Sequence, residues 1–126
     1  MSGKKVLIVE DDAIIAMRLQ DTLDNWGYGT AIIPSGEQAL EWIDQSHPDL
    51  VLMDIRLPGM NGIQALAALR ADPGTRHIPV IAVTASVMQQ DRKQITDAGF
   101  DGYVGKPIAL RELLDAVAKA IGSKVT

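Results

Sequence analysis

Two short apolar runs in this sequence each end directly in acidic residues. Residues 6–9 lead into the acidic residues 10–12, and residues 50–53 lead into Asp54. Continuous apolar runs of this length are typical of strands that are buried on both faces of a parallel sheet. The carboxyl ends of parallel strands meet at one edge of the sheet, so these carboxylates should gather there. Carboxylates in one place repel one another, and the arrangement therefore requires a compensating positive charge.

The rest of the sequence alternates between strand-like and helix-like patterns. Strands are predicted at residues 6–9, 30–33, 50–53, 80–83 and 103–104. A helix is predicted after each strand, with Asp12 and Ser35 as N-caps of the first two. The predicted inner face of the first helix consists of Ile15, Leu19, Leu23 and Trp26, and that of the last consists of Leu110, Leu113, Leu114, Val117 and Ile121. Five such units predict an α/β fold, a doubly wound parallel sheet with helices on both faces.

Length and composition exclude several classes of protein. The chain has 126 residues, which predicts a single domain with a core over about residues 5–121. The absence of cysteine excludes thiolate metal sites, and we expect a cytoplasmic protein without an export signal or a membrane span. A net charge of −4 and only five aromatic residues argue against a nucleic-acid surface.

Four strand ends carry chemically distinctive side chains. Glu10 and Asp11 follow the first strand, Asp54 the third, Thr84 the fourth and Lys106 the fifth. Two carboxylates about 4 Å apart repel by roughly 4 kcal/mol at an effective dielectric of about 20. One lysine does not balance three carboxylates, but a lysine together with a divalent cation does. Hard oxygen ligands with room for water and a phosphate suit Mg²⁺.

These residues carry a resemblance to a known family. The segments are 6–12, 52–58 with Gly62, 83–85 and 106–107, and in this order and spacing they resemble the receiver domain of bacterial response regulators. The resemblance extends over about residues 5–121. It implies a flavodoxin-like fold of five strands in the order 2-1-3-4-5 and five helices.

The resemblance also implies a role for each acidic residue. Asp54 would accept a phosphoryl group from a phosphohistidine on a sensor histidine kinase or a histidine phosphotransfer protein. Asp11 and Asp54 would bind Mg²⁺ directly, and the main-chain carbonyl of Arg56 would be a third ligand. Glu10 would act through a bound water. The protein would thus be a phosphoacceptor regulator and not an enzyme in the ordinary sense.

The resemblance implies that further residues bind the phosphate and change conformation when it is added. Lys106, in a cis peptide with Pro107, would pair with the phosphoryl oxygens, Thr84 and the Ala85 amide would donate to them, and Tyr103 would turn inward. The expected partner surface, formed by the fourth helix, fifth strand and fifth helix, includes Met88, Gln89, Gln90 and Ile108. We expect a monomer or a weak dimer; the downstream effector, and whether the domain acts alone or within a larger protein, stay open.

Two alternatives use the same fold. A Mg²⁺-dependent phosphatase with an aspartyl nucleophile needs a second acid two residues after it, but that position is Arg56, and no cap domain is predicted. A flavin or nucleotide binder needs a phosphate-binding loop after the first strand, where residues 10–12 would repel phosphate. Both are therefore less favoured than a phosphoacceptor domain.

Overall fold

The computed structural model describes residues 4–85 and 89–121, with only the backbone described at residues 89–92, and contains one five-stranded parallel sheet. The strands are β1 (Lys5–Val9), β2 (Gly29–Ile33), β3 (Leu50–Asp54), β4 (Val80–Thr84) and β5 (Gly102–Gly105). The helices are α1 (Ala13–Asn25), α2 (Gly36–Ser46), α3 (Gly62–Ala71), α4 (Gln89–Ala98) and α5 (Leu110–Ile121). Each pair of neighbouring strands is parallel, in the order β2-β1-β3-β4-β5, which confirms the expected fold.

The apolar strands are continuous in sequence because the sheet is covered on both faces. In β1, Leu7 and Val9 pack into a core with α2, α3 and α4, whereas Val6 and Ile8 pack into a second core with α1 and α5. Successive strand side chains point to opposite faces, so a strand between two helical layers has no polar side to present. All four of these side chains are buried.

The first two helices begin directly after the N-cap residues that the sequence predicts. Asp12 accepts hydrogen bonds from two backbone N–H groups in the first turn of α1, and Ser35 accepts one from Gln38 at 3.3 Å, which confirms both N-caps. α3 begins with a reciprocal capping box between Asn61 and Gln64 that was not predicted. Among the described residues, no helix has the length and apolarity needed to cross a membrane.

Two predicted inner-face residues are exposed instead. Trp26 is 64% exposed because α1 ends at Asn25, so the helical spacing that placed it on the inner face no longer applies. Leu110 is 55% exposed at the first position of α5, and the stripe becomes buried only one turn later, at Leu113. The prediction of an inward side chain was wrong at both helix ends.

Candidate functional site

The carboxyl ends of four strands place the predicted chemical groups along one edge of the sheet. β3 ends in Asp54 and β4 ends in Thr84, while Glu10 follows β1 and Lys106 comes soon after β5. β1 and β3 are hydrogen-bonded neighbours whose pairing continues to the last residue of β1. Val9 pairs with Met53, so the residues that follow this pair, Glu10 and Asp54, lie side by side.

Three carboxylates form a compact cluster at this edge. Glu10, Asp11 and Asp54 each offer an oxygen, and these oxygens lie within 4.8 Å of one another. Glu10 is 2% exposed and Asp54 is 4% exposed, whereas Asp11 is open to solvent. The cluster thus has a buried floor of two acids and one acid at its mouth.

Lys106 supplies the positive charge that the sequence required. Its Nζ lies 3.2 Å from Oε1 of Glu10 and 3.4 Å from Oδ2 of Asp54. The backbone N–H of Lys106 donates to the carbonyl of Thr84 at 2.9 Å, so the end of β4 holds the lysine in place. The peptide between Lys106 and Pro107 is cis, as the resemblance implies.

Burial and the neighbouring charges change the protonation of two of these groups. Burial raises the pKa of Glu10 to about 7; the N–H of Asp12 opposes this rise, and the Asp54 carboxylate adds to it. Burial lowers the pKa of Lys106, but the carboxylates of Asp54 and Glu10 outweigh burial and raise it. Near neutrality the lysine is therefore charged, while Glu10 is poised between its two forms.

The donor set fits a hard divalent cation. Oε1 of Glu10 is buried and receives no hydrogen bond from the described residues, although Lys106 lies within ion-pair distance. A buried carboxylate oxygen without a hydrogen bond is costly unless a cation or water satisfies it. Three clustered carboxylates beside one ammonium leave negative charge in excess, which an oxygen-ligated Mg²⁺ would balance.

The chain after Asp54 folds back tightly against it. Oδ1 of Asp54 accepts a hydrogen bond from the N–H of Arg56 at 3.0 Å, and the Arg56 side chain is exposed. The N–H of Gly62 donates to the carbonyl of Ile55 at 3.0 Å. A Cβ at Gly62 would lie 2.5 Å from the Asp54 carbonyl oxygen, so only glycine allows α3 to begin this close to β3.

The predicted switch residues line the same edge and the strand beside it. Thr84 is buried at the end of β4, and the exposed Ala85 directly follows it. Tyr103 on β5 is 37% exposed, so part of its side chain lies at the surface.

The predicted partner surface is described only in part. Ile108 is half-buried and packs against the core of α1 and α5. Gln89 and Gln90 open α4, but their side chains lie outside the described residues, as does all of Met88.

One contact near the site was missed from the sequence. Glu37 of α2 accepts a hydrogen bond from the backbone N–H of Met60, which lies between β3 and α3. The two residues are 23 positions apart, so no periodicity or cap pattern connects them. The glycines beside them, Gly36 and Gly59, were the available signal that two segments approach closely there.

Comparison with known proteins gives a consistent result over nearly the whole chain. Residues 6–118 match the model of the response regulator receiver domain. The polar-differentiation response regulator DivK of Brucella ovis is 39% identical over 119 residues, covering 94% of this chain and 97% of DivK.

Solved structures agree with this match. The receiver domain of a sensor histidine kinase from Pseudomonas aeruginosa PAO1 has a magnesium ion coordinated in its active site cleft. It is 34% identical with a TM-score of 0.88, covering 97% of this chain and 100% of that chain. The receiver domain of a signal transduction histidine kinase from Syntrophus aciditrophicus is 31% identical with a TM-score of 0.87, covering 98% and 94%. The protein therefore belongs to the response regulator receiver domain family, the phosphoacceptor domains of two-component signalling.

Proposed function

We propose that Asp54 is the residue of this receiver domain that accepts the phosphoryl group. The observation that carries the proposal is the position of its carboxylate. It is 4% exposed at the end of β3, beside Glu10 and Asp11, and 3.4 Å from the Lys106 ammonium. Glu10 is also buried, paired with Lys106 and hydrogen-bonded by the chain that follows it, but burial raises its pKa to about 7, so near neutrality it is partly protonated and less available as a nucleophile.

The chemistry needs no general base. A carboxylate oxygen attacks the phosphorus of a phosphohistidine, the P–O bond forms as the P–N bond breaks, and the imidazole leaves with a proton from solvent. Asp54 is the nucleophile in this step, and the product is an acyl phosphate that water hydrolyses. The modification is therefore temporary, as a signal requires.

We assign the metal site to the acidic cluster. Asp11 and Asp54 would hold Mg²⁺ directly, with the main-chain carbonyl of Arg56 as a further ligand and Glu10 acting through a water. When bound, Mg²⁺ supplies positive charge that stabilises the phosphoryl oxygens during transfer. The fit of the carboxylate cluster and the magnesium ion in the related Pseudomonas receiver domain both support this assignment.

We assign the phosphate-binding and switch roles to residues in or directly after β4 and β5. Lys106 would pair with the phosphoryl oxygens, while the hydroxyl of Thr84 and the amide of Ala85 would donate to them. A shift of Thr84 toward the phosphate would leave space for Tyr103 to turn inward. The surface of α4, β5 and α5, including Ile108, would then change its affinity for a partner.

Receiver domains receive their phosphoryl group within a histidine kinase pathway. We propose the following donor and downstream partner for this chain. The direct donor would be either the kinase or a histidine phosphotransfer protein, and the reader would be a downstream effector protein. The cytoplasmic location and the monomeric or weakly dimeric state stay predictions.

Intact-mass spectrometry with a small phosphodonor tests the assignment. Acetyl phosphate with Mg²⁺ should add one acid-resistant, base-labile phosphate to the wild-type protein. The Asp54→Asn variant should gain none. The matched control is Asp12→Asn, which removes a neighbouring carboxylate while keeping an N-cap, and it should be labelled as the wild type is. Labelling that survives in Asp54→Asn would sink the assignment.

A further inference from the structure

A hydrogen bond joins α2 to the segment that follows the predicted phosphorylation site. Oε2 of Glu37 accepts from the backbone N–H of Met60 at 3.1 Å. Glu37 lies in the first turn of α2, and Met60 lies in the β3–α3 loop, which comprises residues 55–61. Glu37 does not belong to the carboxylate cluster of Glu10, Asp11 and Asp54.

Two glycines bring these segments together. A Cβ at Gly36 would lie 3.1 Å from the Met60 carbonyl oxygen, so the absence of a side chain lets the loop rest on the start of α2. A Cβ at Gly59 would lie 2.9 Å from Oε2 of Glu37, and Gly59 has a φ of +72°, which favours glycine. The carboxylate of Glu37 therefore sits directly over the backbone of the loop.

The position of this loop sets the geometry beside Asp54. Near β3 the loop is held by the bonds from the Arg56 N–H to Asp54 and from the Gly62 N–H to the Ile55 carbonyl, and by the bond from the Ile55 N–H to the Val83 carbonyl of β4. The bond to Glu37 differs from these because it holds the loop at Met60, against a separate helix. It therefore fixes the part of the loop that the bonds at Ile55 and Arg56 do not reach.

We propose that Glu37 is a positioning residue for the metal and phosphorylation site. By holding Met60, it limits the movement of the loop that carries Arg56, whose main-chain carbonyl is the proposed third ligand. This inference rests on the proposed function, because it takes the site beside Asp54 to be the Mg²⁺ and phosphoryl site. Glu37 acts through the loop, and it touches neither the cation nor the phosphoryl group.

Glu37 holds the loop through the side-chain oxygen that accepts the hydrogen bond from Met60, and not through its negative charge. Glu37→Gln keeps a side-chain oxygen that can accept from Met60 and removes the negative charge, whereas Glu37→Ala removes both. Both variants lose the favourable interaction of an acidic side chain with the first turn of α2. A difference between them therefore reports the hydrogen bond.

The first measurement is made without metal. Amide hydrogen exchange at Met60, followed by NMR, should be about threefold or more faster in Glu37→Ala than in the wild type and nearly unchanged in Glu37→Gln. Glu41→Ala is the matched control, because Glu41 carries the same charge one turn further along α2 and is exposed. Exchange at Met60 should be unaffected in this control.

The second measurement is Mg²⁺ affinity by calorimetry, together with the rate of phosphorylation by acetyl phosphate at subsaturating Mg²⁺. Glu37→Ala should weaken Mg²⁺ binding about threefold to tenfold and slow phosphorylation in proportion, since a hydrogen bond of this kind contributes about that factor. Glu37→Gln should remain within about twofold of the wild type.

Three results would overturn the proposal. These are wild-type Mg²⁺ affinity in Glu37→Ala, equal losses in Glu37→Gln and Glu37→Ala, and a change in Met60 exchange without a change in Mg²⁺ affinity. Failure of the proposed function looks different. The wild-type protein would then not bind Mg²⁺, and the Asp54→Asn variant would still be labelled by acetyl phosphate.

Discussion

Glu10 holds a carboxyl group in a buried position between an ammonium and a second carboxylate. Its Oε2 accepts a hydrogen bond from the N–H of Asp12 at 3.1 Å, and its Oε1 faces Lys106 at 3.2 Å. Burial is the largest influence on its protonation, and the neighbouring Asp54 adds to it. The residue therefore holds a proton in a pH range where an exposed glutamate has lost it.

This protonation predicts that Mg²⁺ binding strengthens as the pH rises through neutrality. The pKa of Glu10 is raised from 4.5 to about 7 in the folded protein, so below that pH the cation must displace a proton from the site. One linked proton weakens the apparent affinity about tenfold between pH 8 and pH 6. Calorimetric titration of the wild type across this range measures the effect.

The control for this prediction is Glu10→Gln, which has no proton to release at this position. Its Mg²⁺ affinity should be lower than that of the wild type and nearly independent of pH over the same range. An equal pH dependence in both proteins would assign the linked proton to another group.

At the scale of the elements, the start of α3 is set by the end of β3. Gly62 allows the helix to begin against the backbone of Asp54 and Ile55, and its N–H closes the loop between them. The atoms that a side chain would meet are backbone atoms, which cannot rotate away. The position of the loop beside the site thus depends on the absence of one methyl group.

Gly62→Ala should therefore destabilise the fold by about 1–3 kcal/mol, the usual cost of overpacking a close contact. Urea unfolding followed by circular dichroism measures the loss. Gly74→Ala is the matched control, since a Cβ there would meet only the Asp72 side chain at 3.5 Å. The control should change the free energy of unfolding by less than about 0.5 kcal/mol. Equal stabilities of the two variants would contradict the role of Gly62.

Most of the elements were predictable because each depends on local pattern. Apolar runs bounded by turn residues located the five strands, and Asp12 and Ser35 located two helix starts. The acidic cluster was also predictable, because parallel strands deliver their ends to one edge.

What could not be predicted depends on distances between segments far apart in the chain. Helical periodicity does not show at which residue the end of a helix loses contact with the core. Trp26 and Leu110 were therefore predicted on inner faces, although both are exposed. Mutual repulsion of the carboxylates was expected from the strand ends, but the burial that is the largest cause of the raised pKa of Glu10 was not. The bond between Glu37 and Met60 likewise joins segments that only the folded chain brings together.

At the scale of the whole molecule, Lys106 lies between the carboxylate cluster and the predicted partner surface of α4, β5 and α5. Lys106 pairs with the buried carboxylates through its side chain and with the end of β4 through its backbone, and it comes soon after β5, which carries Tyr103. In the proposed role its charge would pair with the added phosphate, and its backbone bond to β4 would pass on a displacement.

Lys106→Ala should therefore retain Mg²⁺ binding but lose the change that follows phosphorylation. The proposed ligands lie at or just after the ends of β1 and β3 and stay in place, while the ammonium that would pair with the phosphoryl oxygens is gone. NMR shifts of β5 amides before and after phosphorylation measure the coupling. Lys5→Ala, at the opposite edge of the sheet, is the control and should respond as the wild type does. A full wild-type response in Lys106→Ala would contradict this role.

The most direct test of Asp54 as the phosphoacceptor is chemical trapping of the modified residue in the unaltered protein. After phosphorylation by acetyl phosphate or a phosphohistidine donor, borohydride reduces an aspartyl phosphate to homoserine, and tandem mass spectrometry locates it in the sequence. We predict homoserine in place of Asp54 and unchanged aspartates at positions 11 and 12. Homoserine at another position, or label recovered on a side chain other than an aspartate, would contradict the assignment.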